Sequence, residues 1–105
     1  MACRPVIAEV NGRVGFAQVG PARVKEDFAP VHDRELWSLY VLPELHGSGA
    51  DAALLGAVLP SGPAQLWVAD PNPRAQAFYR KHGFEPDGAR FIDRNAITEI
   101  RRLRP

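Results

Sequence analysis

The run LYVLPELHGSGADAALL, from Leu39 to Leu55, constrains the fold more than any other stretch of this chain. It opens as an apolar strand, breaks at Pro43 and turns through Gly47 and Gly49. Beyond the turn, apolar or small residues at Ala50, Ala53, Leu54, Ala57 and Val58 recur three and four apart, the stripe of a one-sided helix. Glycine between a strand and a helix lets backbone approach a ligand closely, and the first amides of a helix have no partner within it. With the positive end of the helix dipole, those donors suit a phosphate. Gly47–Ala50 is therefore a candidate anion seat, and close packing is the competing explanation for its glycines. Neither familiar phosphate loop is present. There is no G-x-x-x-x-G-K-S/T, and Ala52 takes the last glycine position of G-x-G-x-x-G.

The rest of the chain supplies the partners that such a strand and helix need. Arg4 to Val10 reads as a strand with Val6, Ala8 and Val10 on one face. Asn11-Gly12 suits a type I′ hairpin turn, and Val14 to Val19 is the returning strand. Residues 22–34, polar and broken by Pro30, read as a surface loop before a third strand from Glu35 to Val41. The first helix ends by Pro60, and an apolar strand follows from Gln65 to Ala69. Asn72 is placed as an N-cap with Pro73 at the first helical position. Ala75, Phe78, Tyr79 and His82 share one face of that second helix, which Gly83 ends. Phe84–Glu85, Arg90–Asp93 and Ala96–Leu103 read as closing strands, with turns at Asp87-Gly88 and Arg94-Asn95. The expected architecture is one α/β domain over residues 1–105, a mixed β-sheet with two helices, in which the strands flanking the first helix run parallel.

Length and charge narrow the function. A chain of 105 residues supports one modest core. A net charge of +1 gives no bulk electrostatic case for nucleic acid, and the basic run Arg101-Arg102-Leu103-Arg104 reads as a solvated strand end. Cys3 is the only cysteine, which excludes an intrachain disulfide and makes the cytoplasm the expected setting. No apolar run reaches membrane-spanning length, so no membrane partner is expected. His32, His46 and His82 are scattered, and no metal site is suggested. Trp37 and Trp67 read as packing residues on neighbouring strands.

A second stretch, LWVADPNPRAQAFYRKHGFEPDG, follows the first helix. Strand, glycine turn, helix, strand, Asn-Pro, a helix with Phe-Tyr, then His-Gly-Phe: this order resembles the GNAT superfamily of acyl-CoA-dependent N-acyltransferases. Asn72, Phe78-Tyr79 and Gly83-Phe84 carry most of the likeness, which runs from about Val6 to the C-terminus. The resemblance implies that the strands before and after the first helix splay apart. The pantetheine arm of acetyl-CoA then enters the gap like an added strand. It would pair with the backbone of Leu39, Tyr40 and Val41, while His46, Gly47, Ser48, Gly49 and Ala50 hold the diphosphate. Asn72 would hydrogen-bond the pantetheine, and Tyr79 would protonate the leaving thiolate. The residues themselves also admit a plain N-cap for Asn72, a half-buried core aromatic for Tyr79 and a neutral surface imidazole for His46.

The family's turn, Gln/Arg-x-x-Gly-x-Gly/Ala, corresponds here to His46-Gly47-Ser48-Gly49-Ala50-Asp51, which departs at its first and last positions. A carboxylate about 6 Å from a diphosphate repels it by roughly 2–3 kcal/mol per charge pair at an effective dielectric near 20, so weakened cofactor binding is expected. Some family members carry a glutamate base where this chain has Trp67. Glu35 is the substitute, with an exposed strand-end charge as its other reading, and His32 is a weaker candidate. Family domains usually begin with a strand and one or two helices before the hairpin, and those helices wall the acceptor site. This chain starts at the hairpin, so the resemblance implies an N-terminally shortened domain with an open acceptor side and pairing into a homodimer. The implied function is acetyl transfer from acetyl-CoA to a primary amine of a small molecule or protein. A GNAT-like module that binds acyl-CoA weakly, with little or no catalysis, is the alternative.

Overall fold

A computed structural model describes the backbone of residues 4–10 and 13–105 and the side chains from Gly15 onward. The expected turn at Asn11-Gly12 and the lone Cys3 lie outside the described residues. In chain order the elements are β1 (Arg4–Val10), β2 (Arg13–Pro21), β3 (Arg34–Val41), a 3-10 turn (Pro43–Leu45), α1 (Ala50–Val58), β4 (Ala64–Ala69), α2 (Pro73–Lys81), β5 (Glu85–Ile92) and β6 (Thr98–Arg104). The strands form one six-stranded sheet in the order β1-β2-β3-β4-β6-β5. β3 and β4 run parallel, and every other neighbouring pair is antiparallel. A parallel pair needs a crossover, and α1 supplies it.

One face of the sheet carries the core. Ala17, Leu36, Leu66 and Val68 meet Leu54, Leu55, Val58 and Leu59 from α1 and its end, and Phe84 seals the cluster at 0% exposure. α1 sits in a different phase from the stripe expected of it. Its buried residues are Ala50, Leu54, Leu55 and Val58, whereas Ala53 and Ala57 are exposed. Burying leucine removes more apolar surface from water than burying alanine, so Leu55 takes the inner position.

The chain departs from expectation in two further places. β5 does not turn at Asp87-Gly88 but runs through it as a bulge, its register passing from Pro86↔Arg102 to Arg90↔Ile100. Gly88 takes φ 93°, and Asp87 Oδ1 accepts from the Ala89 amide at 3.0 Å. The C-terminal arginines are not solvated: Arg101 and Arg102 are each 7% exposed. Arg101 binds Asp87 at 2.7 Å and the Ala29 carbonyl at 2.8 Å, while Arg102 binds Gln76 and the Phe84 carbonyl, both at 2.6 Å. Burying a cation requires donors to be matched, and these arginines spend theirs holding neighbouring segments.

The loop after β2, expected as a surface connection, folds back over the sheet face opposite the helices. Lys25 and Phe28 exchange backbone hydrogen bonds of 3.2 and 2.8 Å in a tight turn, and the Phe28 ring lies 5.7 Å from Trp67. The amides of Val31 and His32 donate to Gln65 Oε1 at 2.8 and 3.2 Å. Arg23 donates to Glu35 from its backbone amide, Nε and a terminal nitrogen at 3.0, 2.8 and 2.5 Å. Glu35 is 0% exposed, so removing its cation strands a buried charge. Arg23 itself is 41% exposed, which softens the loss. Arg23→Ala should lower the unfolding free energy by roughly 2–3 kcal/mol, measured by urea denaturation.

Candidate active site

The site begins where β3 and β4 part. They are paired only at Glu35↔Gln65 and Leu36↔Leu66. Just beyond, Val19 pairs with Leu36 but Gln18 pairs with Ser38, leaving Trp37 as an extra residue on β3. That bulge turns β3 further from its parallel neighbour. Backbone groups of Leu39, Tyr40 and Val41 that point away from β2 therefore face a gap rather than a strand. Leu39 and Val41 turn toward α1, while the Tyr40 side chain is 47% exposed on the other face and stacks 5.9 Å from Phe16.

α2 covers this gap loosely. None of its residues is fully buried, and Ala75, Phe78 and Tyr79 pack against the core half-buried. Between them lies a cavity of about 70 Å³, lined by Leu39 and Val41 of β3, His46 and Asp51 of the turn, and Arg74 and Tyr79 of α2. Gly47 and Gly49 take φ 83° and 90°, a left-handed backbone that strains other residues, and a Cβ on either would meet nothing within 4 Å. Ser48 Oγ donates to the Leu45 carbonyl at 2.5 Å and accepts from the Ala50 amide at 3.2 Å, closing the turn. Among the described residues, the amides of Gly47 and Gly49 have no acceptor. His46 Nε2 donates to the Val41 carbonyl at 3.2 Å, so the imidazole covers one of the free backbone acceptors on β3.

Charge in the cavity is mixed. The Asp51 carboxylate accepts from the Ala52 amide at 2.9 Å and lies 3.6 Å from Arg74. Arg74, on the first turn of α2, is the cavity residue that the sequence did not single out. Its position two residues after Asn72 was the available signal, because the first turn of that helix faces the glycine turn. Tyr79 packs edge-on against Phe78 and Phe84 at 5.4 and 6.1 Å. Burial first, and the Asp51 charge second, push its phenol up from 10.0 to about 12.

The remaining sequence candidates lie elsewhere. Asn72 caps α2, its side-chain oxygen accepting from the Ala75 amide at 3.3 Å, and its amide nitrogen is left for another acceptor. Glu35 is an expected base that the geometry holds away from the cavity. Arg23 and Gln65 give its carboxylate hydrogen bonds of 3.0, 2.8, 2.5 and 3.1 Å, and it has no exposed surface. Trp67 packs between Phe28 and Phe91, with its Nε1 buried and unpaired. His32, in the loop, offers its backbone amide to Gln65 and is not among the cavity residues. Among the described residues, no group of histidine, cysteine and carboxylate side chains could hold a metal ion.

Comparison with known proteins decides the family. The model of the acetyltransferase (GNAT) domain matches residues 2–86. The chain belongs to the GNAT acetyltransferase family. An uncharacterized N-acetyltransferase of Mycobacterium tuberculosis is 47% identical over 64 residues, covering 55% of this chain. The chain spans 41% of that relative's length. The crystal structure of a ribosomal-protein-alanine N-acetyltransferase from Brucella melitensis superposes with a TM-score of 0.75 at 25% identity, over 95% of this chain and 67% of that one. A PaiA N-acetyltransferase from Thermoplasma acidophilum, solved with coenzyme A, has the same fold, with a TM-score of 0.64 at 19% identity over 94% of this chain and 59% of its own. The overall fold of this GNAT domain is thus shared with these structures.

The environment of Tyr79 makes a pH prediction. Its phenol is raised in the folded state, so it binds its proton more tightly there than in the unfolded chain. The corresponding stability is fully present below pH 10 and is lost as pH climbs from 10.0 toward about 12. Chemical denaturation across that window should show the loss in the wild type and a smaller one in Tyr79→Phe. Asp51→Asn should narrow the window, since only the weaker of the two causes is removed.

Proposed function

We propose that this chain is an acyl-CoA-dependent N-acyltransferase that moves an acetyl group from acetyl-CoA to a primary amine. The observation that carries the reading is the fork: an unpaired stretch of β3 and a half-buried tyrosine line one cleft, with the open glycine amides in the turn that supplies its His46 and Asp51 walls. A pantetheine arm is an extended chain with amides of its own, and the free groups of Leu39–Val41 suit it as a neighbouring strand would. Gly47, Gly49 and the head of α1 suit the diphosphate, with Arg74 and His46 as cations or donors beside it. Asp51 opposes that anion, and its contact with Arg74 offsets part of its charge.

In the reaction, the amine nitrogen attacks the thioester carbonyl carbon, the C–N bond forms, and the C–S bond breaks. The amine loses one proton and the departing thiolate gains one. At about 12, Tyr79 stays protonated throughout the working range, as a proton donor must. Complete transfer to a thiolate whose thiol ionises near 8.5 runs uphill by about 5 kcal/mol. Tyr79 therefore acts chiefly by donating a hydrogen bond to sulfur as the bond breaks. With Glu35 engaged, the amine attacks directly once it has given up its proton to solvent.

Calorimetric titration of acetyl-CoA, followed by free-thiol release with a panel of amines, tests the reading. Saturable binding is expected, with turnover falling on the order of tenfold to a hundredfold in Tyr79→Phe and binding little changed. Binding without turnover would leave the acyl-CoA-binding module as the better account, for which the covered Val41 carbonyl is the supporting observation. A homodimer in the cytoplasm is part of the proposal. The exposed pair Phe16 and Tyr40, on the face without helices, is the apolar surface that such pairing would cover. Light scattering should give twice the 11.5 kDa chain mass, and Tyr40→Asp should return the monomer.

A further inference from the structure

A second cavity, on the sheet face opposite the helices, holds one of the protein's own ammonium groups. It lies between the Lys25–Phe28 turn and the turn joining β5 to β6, with a volume of about 450 Å³. Glu99 forms its floor. In register it stands beside Ala69, the last residue of β4, on one side and Phe91 on the other. Its neighbour Ile100 packs on the core, so alternation along β6 turns Glu99 to the opposite face. Lys25 Nζ reaches over from the loop to within 3.4 Å of Glu99 Oε1 and 6.0 Å of the Phe91 ring centroid. Asp93 adds a second carboxylate, fixed by the amides of Asn95 and Ile97 at 2.8 and 3.0 Å on one oxygen.

We propose that Glu99, Asp93 and Phe91 form the seat for the acceptor's ammonium, a lysine-like amine on an aliphatic stem, and that Lys25 occupies this seat in the free protein. The proposal rests on the N-acyltransferase reading for its meaning, though not for its geometry. A carboxylate beside an aromatic face is how a protein holds an alkylammonium, by ion pairing and by the ring quadrupole together. The present occupant is held loosely: 3.4 Å is long for a charge-assisted hydrogen bond, and the two side chains keep 24% and 18% exposure. With Lys25 withdrawn, the cavity wall carries Glu26, Asp93 and Glu99 against Arg94 alone, a field that attracts a cation. Burial, and then the hydrogen bond with Asp93, raise the Glu99 carboxyl, while the Lys25 charge opposes them, so a cation in the seat is what holds Glu99 ionised. Its place fits an incoming amine too. β3 has already left β4 by Ala69, so an amine seated beside that strand end approaches the fork from the face opposite the cavity of Tyr79.

Chemical-shift titration with Nα-acetyl-lysine methylamide, without acetyl-CoA, tests this directly. Lys25→Met keeps an apolar stem over Phe91 and frees the carboxylates, and it should bind the probe at least threefold more tightly than the wild type. Adding Glu99→Gln to Lys25→Met should weaken that binding at least tenfold. If the double variant does not fold, Phe91→Leu in the Lys25→Met background should weaken it at least threefold. Equal affinity in the wild type and Lys25→Met, or no binding to Lys25→Met, overturns the seat. A parallel acetyl-CoA titration separates the two ideas, because these variants should leave cofactor affinity unchanged. Loss of cofactor binding in the wild type, with the probe still responding to Lys25→Met, would remove the acyltransferase reading and leave the ammonium site standing.

Discussion

A sheet that forks must be gripped at its closed end, and here the grip is the buried carboxylate of Glu35. Two backbone pairs alone join β3 to β4, and Glu35↔Gln65 is one of them. Across that same pair Gln65 Nε2 donates to Glu35 Oε1 at 3.1 Å, so side chains repeat the contact that the backbone makes. Gln65 Oε1 then takes two amides of the loop, and Arg23 closes the other side of Glu35. In a region of low dielectric a fully partnered network is strong, and any shift in register would leave several groups unpaired at once. The network therefore fixes the point at which the strands begin to diverge. Where β3 presents its free backbone edge, and how far α2 stands from it, follow from that point.

The electrostatics of the cleft follow from placing a carboxylate at the head of α1. Asp51 is stabilised there by the helix dipole, yet it shares a small cavity with Tyr79 and His46. Arg74 offsets it from across the gap, at 3.6 Å and with 52% of its own side chain exposed. An exposed cation at that distance gains little from the pair in water, so it is free to turn toward a stronger anion. A diphosphate would draw Arg74 away, and both negative groups would then favour the neutral phenol of Tyr79. On the proposed reading, the charges that would oppose the diphosphate would also keep the phenol of Tyr79 protonated.

Much of this was legible in the sequence, because local chemistry decides it. Glycine at positive φ, an Asn-Pro helix start and an apolar strand run place the turn, α2 and β4 with little help from tertiary contacts. What the sequence hid were choices that depend on neighbours. Asp87-Gly88 has the chemistry of a turn, and only pairing with β6 on both sides makes it a bulge. Arg101 and Arg102 look like a solvated end until Asp87, Gln76 and two carbonyls are brought around them. α1 has small or apolar residues nearly all round, so periodicity does not set its phase, and the larger Leu55 does. Glu35 stands out in the sequence, but a carboxylate near a strand start reads alike whether it binds substrate or Arg23.

Trp67 organises the face of the sheet that carries no helices. It stands where some members of the family carry a glutamate, and its ring is wedged between Phe28 of the loop and Phe91 of β5 at 5.7 and 5.2 Å. An indole there contributes aromatic packing that holds the loop down over a face without helices. The same wedge brings Lys25, three residues before Phe28, within reach of Glu99. A carboxylate at position 67 would lose that packing and would sit against Arg101, whose guanidinium lies 5.4 Å from the indole ring. The carboxylates of this face stand on either side of the indole. Glu35 holds the closed end of the fork, Glu99 stands beside the free end of β4, and the tryptophan between them holds the loop that reaches both.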